Sequence, residues 1–334
     1  MAIYSRDQNT VSFQYESGTY AAPTGTNANW IGLVTNHDLT ESENYIETRH
    51  TGAGNRNYDQ QIPGPVDYEG TLTYHPQDFR MFAFALGSVV NVSGTTSVHV
   101  ISELNGDGRY AYTSGTTQLT NFPSFTVRDS KKSYAGDGNH YVRIVNGCVA
   151  DTFSLSASNG EVVECEVSYK GQSFTLGSKT TDIFALNDAD TSRPYVWSDL
   201  KFHLPSGTVV NEINDITYSL ENNVENRHFV NGSRVAQAMI PTNRNHTLEL
   251  GMSTNNTWFR TLSDFHKNGS TFNAMLECRQ SATEVGWFIF SGCYITDLGT
   301  TSEAEGIDDT TITIRPANAV FIGSDAVRLY GNPY

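Results

Sequence analysis

The sequence predicts a mainly β chain built as two copies of one unit, each with a single α-helix and a long extended loop. Three observations point there. First, residues 43–72 recur without a gap. Glu43-Asn44-Tyr45-Ile46-Glu47-Thr48-Arg49-His50 returns as Glu221-Asn222-Asn223-Val224-Glu225-Asn226-Arg227-His228. At the same offset, 221 − 43 = 178, Gly54 meets Gly232, Arg56 meets Arg234, Ile62-Pro63 meets Ile240-Pro241, and Leu72 meets Leu250. Ten of these thirty positions are identical, against about two expected from ordinary residue usage. The spacing is far longer than the roughly 20–50 residues of a solenoid repeat, and it is the size of a domain. Second, short runs of apolar–polar alternation follow one another along the chain, the period of half-buried strands. Third, each half holds only one stripe of helical spacing.

The bulk numbers suit this class. With 334 residues, 38% hydrophobic and 17% charged, the chain can bury two cores of ordinary size. Thr, Ser, Asn and Gly are abundant, as expected for strands joined by turns. No run approaches 18 uninterrupted apolar residues, so no membrane span is expected. Residues 1–7 lack the basic-then-apolar pattern of a signal peptide, and a cytoplasmic origin is expected. Cys148, Cys165, Cys278 and Cys293 show no C-x-x-C spacing. They are expected to be reduced, buried small residues rather than zinc ligands. The formal charge of −15 and pI of about 4.9 argue against a surface that grips nucleic acid, because such binding needs Lys and Arg to displace counterions.

Taken in order, residues 11–15 and 30–34 read as strands on either side of a Pro/Gly/Thr/Asn loop. Residues 43–50 continue the strand pattern, with Glu47 and Arg49 on one face and Ile46, Thr48 and His50 on the other. Residues 51–70, dense in Gly and Pro, are expected to form a long irregular exposed loop, repeated over 229–246. A helix follows over 76–86, with Pro76 at its first position, Gly87 at its stop, and Phe79, Phe82, Ala83 and Leu86 as one apolar stripe. Its counterpart carries Trp258, Leu262 and Phe265 before Gly269. Residues 98–101 and 110–112 are expected to form a hairpin about Asn105-Gly106-Asp107-Gly108, and residues 125–127 and 140–145 another.

A second internal match, Ile144-Val145-Asn146-Gly147-Cys148 with Ile289-Phe290-Ser291-Gly292-Cys293, has an offset of 289 − 144 = 145. The first half therefore carries 178 − 145 = 33 more residues between the matched blocks. Residues 163–169 and 308–314 both alternate, one face apolar and the other bearing Glu164, Glu166 and Asp309. These features divide the chain into a first unit over 1–175, a connector over 176–195 and a second unit over 196–334.

No catalytic constellation emerges. H-E-x-x-H and G-x-S-x-G are absent from the sequence. Gly171–Thr180 has the wrong spacing for a phosphate loop. Residues 105–108 and 187–190 alternate oxygen ligands but lack the distal Glu of a calcium loop, and read as turns. His50 and His228 recur with Glu47/Glu225 and Arg49/Arg227, a pattern best read as charge-assisted hydrogen bonds pinning a loop. No enzyme activity, cofactor or metal is expected.

The E-N-x-[IV]-E-x-R-H block, its Gly-Arg loop and Ile-Pro resemble the tail tube (major tail) proteins of tailed viruses, bacterial or archaeal. So does Pro123-Ser124-Phe125-Thr126-Val127, leading through Gly147-Cys148 to Phe153-Ser154-Leu155-Ser156. The resemblance covers most of residues 10–180, and the second half through the duplication. It implies two tail-tube-type β-sandwich or barrel domains, each flanked by one helix. It also implies stacked rings about a lumen, and for a fused two-domain chain, trimers that mimic hexamers. Three copies would carry 3 × −15 = −45 formal charges, suited to DNA passing without tight binding. The implied partners are other copies of the chain, the tape-measure protein and other tail proteins, with no membrane. The implied location is the virion tail, assembled in host cytoplasm. The loop residues Glu47, Arg49, His50, Arg56, Ile62 and Pro63 are expected to contact the next subunit or ring. Their copies Glu225, Arg227, His228, Arg234, Ile240 and Pro241 carry the same expectation. Glu164, Glu166 and Asp309 are the candidate lumen residues. The rival expectation is a sugar- or receptor-binding β-protein with Trp30, Trp197 or Trp258 lining a pocket.

Overall fold

The structure, a computed structural model, describes residues 4–16, 28–48, 60–92, 98–103, 123–133, 140–177, 186–187, 193–204, 209–254, 256–281, 284–301 and 309–323. The first half runs β1 (Tyr4–Tyr15), β2 (Ala28–Asn29), β3 (Leu33–Thr48), β4 (Gln60–His75), α1 (Arg80–Leu86), β5 (Gly87–Val92), β6 (Val98–Glu103), β7 (Phe125–Ser133), β8 (His140–Ser158), β9 (Glu164–Gly171), β10 (Ser173–Gly177) and β11 (Leu186–Asn187). After a 3-10 turn at Trp197–Asp199, the second half runs β12 (Leu200–His203), β13 (Val209–Val210), β14 (Ile213–Glu221), β15 (Val224–Arg227), β16 (Ala238–Pro241), β17 (Asn245–Ser253), α2 (Asn256–Asn268), β18 (Phe272–Arg279), β19 (Val285–Thr301), β20 (Asp309–Arg315) and β21 (Asn318–Gly323). The protein is mainly β, as expected.

One antiparallel sheet organises the rest. Its eight strands lie in the order β3-β4-β9-β8-β14-β17-β20-β19. The first four come from the first half and the last four from the second. The order repeats: hairpin arm, hairpin arm, short alternating strand, long strand. Even the irregularities repeat. β8 and β9 slip register between Ala150 and Thr152, and β19 and β20 slip between Ile295 and Asp297, 145 residues on.

The long strands β8 and β19 each serve two sheets. Residues 142–146 of β8 pair with β10, and residues 152–158 pair with β14. Between them lies Gly147 at φ 66°, and Gly292 of β19 stands at φ 62°. A positive φ turns the strand from one sheet to the other at the price of a glycine. This explains the Gly-Cys of the second internal match. The Cys that follows each glycine is fully buried, and all four cysteines are free and buried, as expected.

The second layer consists of β2-β1-β7-β8-β10 over the first half and β13-β12-β18-β19-β21-β6-β5 over the second. Between the layers lies one continuous apolar core that includes residues of both halves. Phe82 stands near its centre, with ring centroids 4.9 Å from Phe153, 5.1 Å from Phe288 and 6.1 Å from Tyr218.

Several expectations are corrected. Strand β4 starts at Gln60, inside the expected loop 51–70, and β16 and β17 occupy part of the expected loop 229–246. Pro63 and Pro65 hid this strand. Both sit where β3 and β4 slip register between Glu43 and Tyr45, a place where a missing N–H is tolerated. Helix α1 begins at Arg80, not Pro76. Asp78 accepts from the Arg80 N–H at 3.0 Å and pairs with the buried Arg80 guanidinium, so residues 76–79 turn before the helix starts. Gly87 ends it as expected, at φ 112°. Strand β6 pairs with β5 and with β21, whereas its expected partner, 110–112, and the turn 105–108 lie outside the described residues. The 33-residue surplus of the first half thus includes a hairpin, β5–β6, laid against the second half. The 125–145 hairpin forms as β7–β8.

Candidate assembly surfaces

The outward face of the eight-stranded sheet carries hydroxyls and carboxylates in rows that run across both halves. One row is Asp38, Thr71, Ser168, Thr152, Glu221 and Asn245. The next holds Asn36, Thr73, Glu166, Ser154, Ser219 and Thr247. A third holds Glu164, Ser156, Thr217, Glu249, Thr313 and Asp297. Alternation puts Val167, Phe153, Leu220, Leu248 and Ile312 on the opposite, buried face. Asp309 pairs with Ser253 on the polar face. The three acids singled out in the sequence therefore share one surface. Among the described strands of this sheet the cations of that face are Lys170 and Arg315, so its charge is strongly negative.

Both hairpins extend past the sheet at one end as arms. The first arm is the distal part of β3 and β4. The second is β15–β16, a two-stranded ribbon. The second arm lies against the first. His228 Nε2 is 3.0 Å from Asp67 Oδ1, the Asn226 amide donates to the same oxygen at 2.7 Å, and Arg234 Nε donates to the Gly64 carbonyl at 2.8 Å. The Val66 N–H donates to the Arg234 carbonyl at 2.9 Å. Lys170 fixes the arm's root by donating to the Val224 carbonyl at 2.7 Å, with Asp151 and Glu69 close by. His228 and Arg234 thus bond within the same chain, His228 to Asp67 rather than to the Glu225 and Arg227 with which it recurs. Arg227 pairs with Glu225 in the open, and Ile240, Ile62, Ile46, Tyr45, Phe229 and Val230 are exposed. Glu47 and Pro63 lie along the first arm. Arg49, His50 and Arg56 lie outside the described residues. Asp67 and Lys170, which hold the second arm, escaped the sequence reading. Asp67 sits in the strand that the prolines disguised, and Lys170 is one polar residue in an ordinary alternation.

The sequence repeat and the strand register differ by one residue in the arms. Ile46 stands opposite Ile62, but it is Glu225, not Val224, that stands opposite Ile240. An identical run therefore presents different side chains in the two arms.

Buried charge sits behind the sheet. Burial works against the charged form of Asp129, but hydrogen bonds from His37 and Arg143 outweigh it and hold the carboxyl below its ordinary range. Glu103 is likewise lowered. Burial opposes this, and His246 at 2.8 Å, the Ala319 N–H at 2.8 Å and Arg244 overcome it. Glu16 goes the other way. Burial raises it despite hydrogen bonds from Ser124, the Gly147 N–H and Thr126. Each of these groups ties neighbouring parts of the fold together.

Among the tryptophans a sugar site would use, Trp30 donates to Gln77 at 2.7 Å and Trp258 packs against the core. Trp197, the first residue of the 3-10 turn, is exposed. Among the described residues no helix is long and apolar enough to cross a membrane, and no cluster of three or more His, Cys, Asp or Glu could hold a metal ion.

No curated protein matches the chain. The family described as phage tail tube protein matches residues 8–315, nearly the whole chain. That family consists of structural virion components that assemble into tubes with other tail proteins. By this match, together with its mainly β fold, the chain belongs to the phage tail tube protein family, a structural component of the virion tail.

Proposed function

We propose that this chain is a duplicated tube subunit whose eight-stranded sheet continues from copy to copy around a lumen, three copies making a pseudo-hexameric ring. The observation that carries the reading is the order β3-β4-β9-β8-β14-β17-β20-β19. Inside the chain, β8 of the first unit pairs with β14 of the second. The outer strands are β3, the counterpart of β14, and β19, the counterpart of β8. The two ends are thus the two halves of the joint already made in the middle. Such an interface is heterologous and builds closed rings or open filaments. Leaving both edges bare would invite uncontrolled pairing.

The internal joint dictates the register of the next one. β8 maps to β19 at offset 145. The matching slips at Val34/Asn36 and Ile213/Asp215 map β14 to β3 at 215 − 36 = 179. Ser154 opposite Ser219 then becomes Gly299 (154 + 145) opposite Thr40 (219 − 179) of the next copy. By the same mapping Asp38 meets Thr301, and Ser42 meets Asp297. Polar-face residues meet polar-face residues at every position, so the core would continue unbroken. Three copies give 3 × 8 = 24 strands in the wall, by the strand order above.

The hydroxyl and carboxylate face, with Glu164, Glu166 and Asp309, lines the lumen. A surface of this charge repels the DNA backbone, so genome and tape-measure protein pass without adhering. The arms project from one end of the ring toward the next. Arg227, Ile240, Ile62 and the Phe229-Val230 tip are presented outward, while His228 and Arg234 hold the arm in shape. Negative-stain microscopy of concentrated protein tests this. Hollow tubes or stacked rings with threefold mass are expected. Monomers at every concentration and salt, together with binding on a glycan array, would favour the sugar-binding alternative.

A further inference from the structure

The joint inside the chain has a second layer behind the paired strands. Helix α1 is wedged there. Phe82 touches Phe153 of the first unit and Phe288 of the second, and Phe79 lies 5.1 Å from Phe288 and 5.2 Å from Phe321. Strand β6 adds to the edge of β21. Beneath this cover Phe321 is only 4% exposed.

Among the described residues the first unit holds the same position without that cover. At offset 145, Phe321 corresponds to Leu176 of β10, which is 57% exposed. Among the described residues β10 pairs with β8 alone. The other side of the joint also has its counterpart. The counterpart of α1 is α2. Every residue of α1 is buried, whereas α2 is buried at Leu262 and exposed at Arg260 and Asp264. Phe288 corresponds to Arg143, which donates to Asp129.

We propose that β10, around Leu176, is the docking surface for the outward face of α2, around Arg260, of a second copy. The proposal rests on the ring reading above. What α1 does to β21 inside one chain, α2 does to β10 of the next. The two joints then alternate around the ring and differ in kind. The internal joint is sealed by aromatic rings. The joint between copies sets one leucine among Arg260, Arg143 and Asp129. An apolar surface of the internal kind would be sticky on a free subunit. The polar version leaves the free chain soluble and lets copies join when concentrated or templated.

The test uses the full chain and the protein concentration at which rings or tubes sediment. Leu176→Asp is expected to raise that concentration at least tenfold, with circular dichroism unchanged because the site is open. Arg260→Phe, which adds an aromatic ring to the exposed face of α2, is expected to lower it severalfold. Mixed Leu176→Cys and Arg260→Cys copies are expected to cross-link through a bismaleimide of about 10 Å, the four native cysteines being buried. If both substitutions assemble as the wild type does while a Thr40→Cys/Gly299→Cys bridge forms between copies, this docking surface is wrong and the ring reading stands. If that bridge fails to form as well, both fall together.

Discussion

Phe82→Ala tests whether the two halves share one core. Phe82 is fully buried, and its ring meets Phe153 from the first half and Tyr218, Phe288 and Phe321 from the second. Truncating a buried Phe costs about 3–5 kcal/mol, the larger values where the site cannot collapse. Four aromatic neighbours, held by strands on both sides, leave little room to relax, and each favourable ring pair adds roughly 0.5–1.5 kcal/mol beyond area burial. A loss of about 4–5 kcal/mol is expected. With a urea slope of about 3 kcal/mol per molar, that moves the midpoint down by about 1.3–1.7 M. Unfolding would be followed by tryptophan fluorescence and circular dichroism together. A single wild-type transition should move down or split in two, as the halves lose their shared wedge. A shift below about 0.3 M with one unchanged transition would refute the claim that α1 joins the halves.

Three further outcomes are expected. Gly292→Ala forces a non-glycine residue to φ 62° and sets its Cβ 2.9 Å from the Ala317 Cβ. A loss of about 1–2 kcal/mol from the left-handed backbone alone is expected by thermal or urea denaturation. Glu16 is raised above its ordinary value of 4.5, so the folded state holds the proton more tightly than the unfolded chain. Its contribution is present below about pH 4.5 and is lost as pH rises through the folded value. Stability of the wild type relative to Glu16→Gln should therefore fall as pH rises above about 4.5. Asp129 and Glu103, both lowered, act in the opposite sense at more acid pH in both proteins and cancel from the comparison. Replacing Arg49 and Arg227 together by Ala should leave folded rings that do not stack, seen by microscopy. Normal-length tubes would remove the arms from the contact between rings.

Much of the fold was legible because period-two alternation and the two internal matches survive wherever one strand face is buried. β9 and β20 announce themselves through Cys165, Val167 and Tyr169 and through Thr310, Ile312 and Ile314. The repeated Gly-Cys was legible only as an internal match, and the structure shows it to be the corner where β8 and β19 change sheets. What stayed hidden had local signals that pointed elsewhere. Pro63 and Pro65 disguised a strand because a register slip accommodates them. The partner of β6 is β21, more than 200 residues away, and no local turn signal reports such a pairing. The identities of the arms mark common ancestry more faithfully than common register, since the strands beneath them are shifted by one residue. The polar face could be listed from the sequence, but which acids share a row depends on pairings between the halves.

The most direct measurement is disulfide formation between copies carrying Thr40→Cys and Gly299→Cys. The paired positions they copy, Ser219 and Ser154, lie directly opposite in the internal joint, and directly opposed residues of an antiparallel pair have Cβ atoms about 4.5–5.5 Å apart, close to the roughly 3.5–4.5 Å of a disulfide. Assembled protein bearing both substitutions should give, under mild oxidation, a ladder on non-reducing gels that ends at a closed trimer. Either substitution alone should give none. Moving the second cysteine one residue, to Leu298, should abolish the ladder, because it turns the thiol to the core face. A ladder that forms equally with either partner, or no ladder from assembled tubes, would contradict a sheet that continues from β19 of one copy to β3 of the next.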